Sequence, residues 1–317
     1  MRSIKKVSEN ECCKKLRDRL KKHQKEVAEN KHSPKAWKNF RKRECTRTIC
    51  LYEQFGLCAY SEVLLDDDER GMHFDHVEAK SNKPERTFEH TNLLLSAFRD
   101  GGLRVKNDDV DGDIAFESDQ VNDGEHATQA QTDDICMHRN KHDVFGGHAR
   151  IMHDANDFIH PLWHLQNRGD VRKYFHYGAN GRVEPALDLA EADKAKVLDT
   201  ITHLNLNSNV LVNLRRHRLQ ALDEAINVIL EMLDELDELD ELDASAKLDE
   251  LARRELGVTG GKMLEFHSAV MQRFEKRGER IMQQQHPQCL CENFNDLNLV
   301  DANACQCQCH PRFKRAI

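Results

Sequence analysis

From about Leu187 onward, apolar residues recur at three- and four-residue spacing, most clearly in "LNLNSNVLVNLRRHRLQALDEAINVILEML". That period predicts helices with one buried face over most of the C-terminal third. Within it, "LDELDELDELD" (233–243) places Leu at every third position. On a 3.6-residue helix such a repeat drifts backward by about 60° per step, so no single apolar stripe forms and a solvated, loosely packed helix is expected. Residues 9–30 are helical in composition. Ser33-Pro34 then reads as an N-cap with Pro in the first turn of a second helix, from Ala36 to about Gln54 and closed by Gly56. Between these blocks the period changes to two. "HFDHV" alternates so that Phe74 and His76 share one face of a strand while Asp75 and Val77 share the other. "KYFHYGANGRVEP" predicts a β-hairpin turning near Asn180-Gly181. An acidic stretch rich in Gly, Asp and Asn (100–134) reads as an insertion, and the segment from Ile135 to about Leu165 carries six histidines.

The length of 317 residues allows about two domains. With 32% charged and 6% aromatic residues, the composition suits a polar, helix-rich, soluble chain. No run of about 18 apolar residues is present, and the first residues lack a signal peptide's apolar segment, so a cytoplasmic protein with no membrane partner is expected. The net charge of −8 conceals an asymmetry: residues 1–50 hold 17 Lys and Arg against 6 Asp and Glu. Such a basic region touches phosphates or an acidic partner, or is a solvated helix; composition leaves these open. The 11 cysteines in a chain expected to stay reduced read as thiols or metal ligands rather than disulfides. Five of them crowd the tail, where Cys289, Cys291, Cys305, Cys307 and Cys309 with His310 form a candidate zinc site at tight CxC spacing.

The chemistry-bearing residues follow in order: Asp75-His76, then Asn92 in "HTNLLLSAF", then His138 in "CMHRNK". Phosphodiester hydrolysis needs a base for water and a hard cation for the charge on the phosphate. A histidine suits the first task, and a carboxylate with a neutral imidazole suits the second.

These segments, together with "GLCAYSE" and "DFIHPL", resemble the HNH endonuclease family. More narrowly they resemble the HNH nuclease subunit of Septu-type and retron-associated anti-phage systems, over about residues 45–220. The resemblance implies an α+β, mostly helical chain: a ββα-metal HNH core with a helical N-terminal arm and a helical C-terminal domain. Its expected parts are a basic helical region (1–50), the nuclease domain with its acidic insertion (51–166), and a hairpin plus helical domain with the Cys-rich tail (167–317). By position, His76 is the general base, Asn92 holds the loop and orients His76, and Asp75 and His138 bind the metal, with Asn140 as the rival ligand. Lys80 and Lys141 are phosphate-contact candidates. A bend after the strand would let Asp75 and His76 approach one site from different sides.

One divalent cation is implied, Mg²⁺ by default, with Mn²⁺, Ni²⁺ or Zn²⁺ tolerated by a His ligand. The zinc knuckle of many relatives is not expected, because Ser61, Ala97 and Asp100 stand where cysteines would join Cys58 and Cys136. The implied function is a metal-dependent HNH endonuclease acting on nucleic acid, DNA in the first instance. It would serve as effector subunit of a bacterial anti-phage complex with an ABC/AAA-type ATPase. Reverse transcriptase and non-coding RNA would join as partners in a retron setting. The alternatives are a catalytically degenerate HNH scaffold subunit and a zinc-dependent regulator.

Overall fold

The computed structural model describes residues 1–7, 12–65, 72–97, 144–152, 158–163, 169–234 and 241–285. The architecture is α+β and mostly helical, with two small antiparallel sheets. α1 (Lys14–Ala28) buries Leu16, Leu20 and His23, a stripe at i, i+4 and i+7, and leaves its lysines in solvent. His23 shares a 3.0 Å hydrogen bond with the Pro84 carbonyl, which ties α1 to the loop after the first strand.

The second helix departs from expectation. Residues 34–39 form turns, and α2 spans Glu44–Glu53. Ser33 Oγ does accept from Lys35 N–H, but Arg43 donates to the carbonyls of Trp37, Lys38 and Phe40. Those carbonyls are the acceptors a continuous helix would have used. The C-terminal signal is realised: Gly56 N–H reaches Leu51 O and Phe55 N–H reaches Tyr52 O, the crossed pair of a Schellman turn. Both residues are left-handed, with φ of 53° at Phe55 and 73° at Gly56.

β1 (Met72–His76) pairs antiparallel with β2 (Leu93–Ala97), His73 facing Ser96 and Asp75 facing Leu94. All of β2 is buried. Its outer edge is not left open: Gln54 accepts from Leu95 N–H and donates to Leu95 O, Ala59 N–H adds to that carbonyl, and Cys58 Sγ accepts from Ala97 N–H. α3 (Gly147–Met152) lies over the β1–β2 hairpin, with Gly147 N–H bonded to Ser96 Oγ at 3.0 Å.

The hairpin in the second half forms as expected, β3 (Phe175–Tyr177) against β4 (Val183–Pro185), with Gly181 in its turn. α4 (Glu191–His203) and the start of α5 (Asn209–Asp234) cover it. Val171, Phe175, Val183, Val197 and Leu211 all join the same apolar cluster as Leu16, Trp37 and the β2 leucines. A second cluster gathers the remaining helices: α6 (Glu241–Leu256), α7 (His267–Arg273) and α8 (Glu275–Gln285), with Leu222 of α5 and Leu57. Glu62 joins the two, its carboxylate accepting from Ser268 N–H at 2.8 Å and Ser268 Oγ at 2.6 Å. The "LDELDELDELD" repeat falls mainly outside the described residues, and the 100–134 insertion falls wholly outside them.

At Gly181 a methyl group would meet Val212 O at 2.2 Å, and φ is 83°, so a side chain is opposed by both sterics and backbone strain. Gly181→Ala is expected to lose roughly 2 kcal/mol or more in urea unfolding. Gly260→Ala, also at positive φ but in open space, should lose about half as much. Equal losses would show that the α5 contact contributes nothing.

Candidate functional site

β1 stays regular through His76, which still faces Leu93, and the bend begins only at Val77. Asp75 and His76 therefore stand on opposite faces, and the expected convergence on one site does not occur. Three polar residues of this strand are almost wholly buried: His73 is 3% exposed, Asp75 2% and His76 5%.

On the Asp75 face, one carboxylate oxygen accepts from Arg150 of α3 at 2.7 Å and the other accepts from the Tyr60 hydroxyl. Arg150 also donates to the carbonyls of His76 and Val77, bracing the strand's end. His73 lies beside Asp75 on this face, its ring stacked on His148 of α3 with centroids 4.0 Å apart. The helix can come this close because residue 147 is glycine: a Cβ there would sit 2.9 Å from His73 Nε2 and 3.0 Å from Asp75 Cγ. Burial pushes the Tyr60 hydroxyl well above its ordinary range, and Asp75 adds to this. Burial pushes His73 well below its ordinary range and His148 down to about 4, so both imidazoles are neutral at pH 7. Two neutral imidazoles and a carboxylate are ligand types for a divalent cation, but the stacked rings aim their in-plane lone pairs along parallel directions, so both could bind one ion only after unstacking.

On the other face, the His76 ring meets Trp37 edge to face, with centroids 4.8 Å apart. Its Nε2 makes a 2.9 Å hydrogen bond with Thr87 O. Because a carbonyl only accepts, that nitrogen carries the proton. Burial, with Lys80 as the next contribution, lowers His76 to about 3. Lys80, a phosphate-contact candidate, thus lies near this ring. Asn92, 1% exposed, clamps the loop that joins the strands: Oδ1 accepts from Glu78 N–H at 2.7 Å, and Nδ2 donates to Glu78 O and Arg86 O. The expected hydrogen bond from Asn92 to His76 is not formed; Thr87 O takes that place.

His138, Asn140, Lys141 and Cys136 lie outside the described residues, as do Cys289, Cys291, Cys305, Cys307, Cys309 and His310 of the tail. The Cys58 sulfur accepts from Ala97 N–H at 3.3 Å and lies 3.7 Å from Ser96 Oγ.

A different cluster could bind a metal ion: Cys50, Glu53 and His90 are all buried, with ligand atoms within 4.8 Å of one another. A cation is already there. Lys6 Nζ lies 2.7 Å from Glu53 Oε2 and 3.7 Å from Cys50 Sγ, while Val7 N–H and His90 Nε2 engage Glu53 Oε1. Burial pushes the Cys50 thiol up to about 12, so it is protonated, whereas a metal would need the thiolate. A metal would have to displace the ammonium group. Only the Cys50–Glu53 spacing was visible beforehand, as i and i+3 on one helix; nothing in the sequence tied them to Lys6 or His90.

Among the residues that sequence reasoning missed, His73 carried a signal, since it stands two positions before Asp75 and a strand puts such residues on one face. Tyr60 stood in the "GLCAYSE" segment but with no role assigned to it, and Arg150 carried no signal. No family model matches this chain, and no curated protein matches it.

His76 refuses in the folded state the proton it accepts near pH 6.5 when unfolded, so stability falls as pH drops from 6.5 toward about 3. Each such buried imidazole steepens that fall by up to about 1.4 kcal/mol per pH unit. Urea midpoints at successive pH values between 7 and 5 should decline less steeply for His76→Gln than for the wild type. Identical slopes would mean that His76 takes up its proton without opening.

Proposed function

We propose that this chain is a metal-dependent phosphodiesterase of the HNH kind, a nuclease whose centre is the Asp75 face of β1. The observation that carries this reading is the strand–strand–helix order in which α3 sets His148 against His73 and Asp75. In this reading His148 takes the helix position that the sequence assigned to His138. Asp75, His73 and His148 would hold one divalent cation once the two rings unstack and Arg150 releases the carboxylate. Such an ion neutralises charge on a phosphate and acidifies a bound water.

The protein's own groups do the rest. Asn92 holds the 78–91 loop so that β1 keeps its register. Arg150, released from Asp75, offers a planar guanidinium to phosphate oxygens. His148, half-buried where its neighbours are buried, is the imidazole of the cluster nearest to solvent. His76, neutral and turned toward Trp37, positions the strand rather than the water. A role as the effector of an ATPase-partnered anti-phage complex follows the family resemblance. Leu198, Val228 and Leu230, exposed along α4 and α5, are the apolar side chains such a partner would cover.

A second reading has its own support. Both oxygens of the buried Asp75 carboxylate are already engaged, by Arg150 and Tyr60, as in a structural ion pair. That arrangement favours a scaffold subunit whose HNH core has lost its reaction.

The two readings separate on one experiment. Chelator-treated protein is supplied with Mg²⁺ or Mn²⁺ and single- and double-stranded DNA and RNA. The nuclease reading expects cleavage to return with the ion, and His148→Ala to lower it by ~100-fold while folding is kept. Cleavage at the wild-type rate in that variant would refute the assignment. A folded wild type that never cleaves would favour the scaffold.

A further inference from the structure

α1 and the turn segment that follows it enclose a groove of about 580 Å³ on the His76 side of β1. Its walls carry Lys15, Arg19 and Lys22 from α1 and Arg41 and Lys42 from the segment, with Asp18 as the lining carboxylate and Glu26 beside Arg19 and, at 4.0 Å, Lys22. The three α1 cations stand at i, i+4 and i+7 and spread along about 10 Å of helix. They border the buried Leu16–Leu20–His23 stripe, so packing holds their helix in place. Arg19 is positioned further by a bidentate pair with Glu26 and by the Phe88 ring, 4.8 Å away. Phe40 also lines the groove, half-buried and packed edge to face on Phe88, with Ser33 and Asn39 alongside.

We propose that this groove binds the phosphate backbone of a single nucleic-acid strand. Cations strung along a rigid wall match a polymer with one negative charge per unit, and an aromatic side chain among them offers a surface for a base. A single strand can turn a base onto Phe40, whereas a duplex keeps its bases stacked and could offer this groove only its backbone. Behind Phe40 and Phe88 lie Trp37 and then His76. The groove therefore faces away from Asp75, His73 and His148, and β1 stands between them. It holds the strand apart from the proposed reaction centre. This deepens the nuclease reading by giving its substrate a holding site, yet binding here requires no cleavage.

The test uses the full chain in chelator with a labelled single-stranded oligo-deoxythymidine of about 16 nucleotides. Anisotropy gives the affinity at several salt concentrations. The variant Lys15→Ala/Lys22→Ala/Lys42→Ala removes three exposed groove cations. Its log–log salt slope should be shallower by about 2, at ~0.7 per lost phosphate contact. The control Lys14→Ala/Lys21→Ala/Lys25→Ala removes equal charge from α1 positions that do not line the groove. It should keep the wild-type slope. An unchanged slope in the groove variant, or an equal fall in the control, would overturn the proposal. So would tighter binding of the matching duplex, or displacement of the strand by polyglutamate at equal charge, which would mark an acidic protein as the occupant. Loss of groove binding with intact metal-dependent cleavage, or the reverse, separates this proposal from the nuclease reading.

Discussion

The fold turns on a carboxylate that water does not reach. Glu62, at a φ of 60°, is buried and accepts two hydrogen bonds from Ser268. Burial opposes its charge, but nearby positive charge, that of Arg2 included, and the Ser268 hydrogen bonds outweigh that and hold it at about 2. Breaking such a buried pair costs about 3–5 kcal/mol, a large part of the 5–15 kcal/mol that keeps a domain folded. The consequence spreads along the chain. Glu62 anchors the loop whose Cys58 and Ala59 close the edge of β2, β2 sets the register of β1, and β1 presents Asp75 and His76.

The strand then acts as a partition. One face is ionic and closed by α3, with Asp75 held between Arg150 and Tyr60. The other face is aromatic, its histidine neutral beneath Trp37 and its outer layer basic. Both depend on backbone approach rather than on side-chain bulk. Gly147 admits α3 to the ionic face, and Asn92 replaces a missing ladder with its own amide.

Features written in local periodicity were legible in the sequence. The α1 stripe, the reversal at Gly56, the Asn180-Gly181 hairpin and the helices after Leu187 each follow from spacing that a single element realises. The alternation at 73–76 was legible too, and it outlasted the expectation of a bend because β2 pairs with the strand through His76. What escaped was set by partners distant in the chain. Arg150 reached Asp75 across 75 positions, and Lys6 met Glu53 across 47. No short window contains both members of such a pair, and ion pairs leave no period.

Alternation across β1 also makes the strand intolerant of slippage. A shift of one residue against β2 would bring Phe74 and His76 onto Arg150 and send Asp75 into the aromatic pocket around Trp37. Each displaced group would lose its partner, so the misregistered chain has no compact state to settle in. Single insertions or deletions should thus be purged from 72–76 during divergence. The exposed stretch at 81–83, far from any ladder, is where length can change.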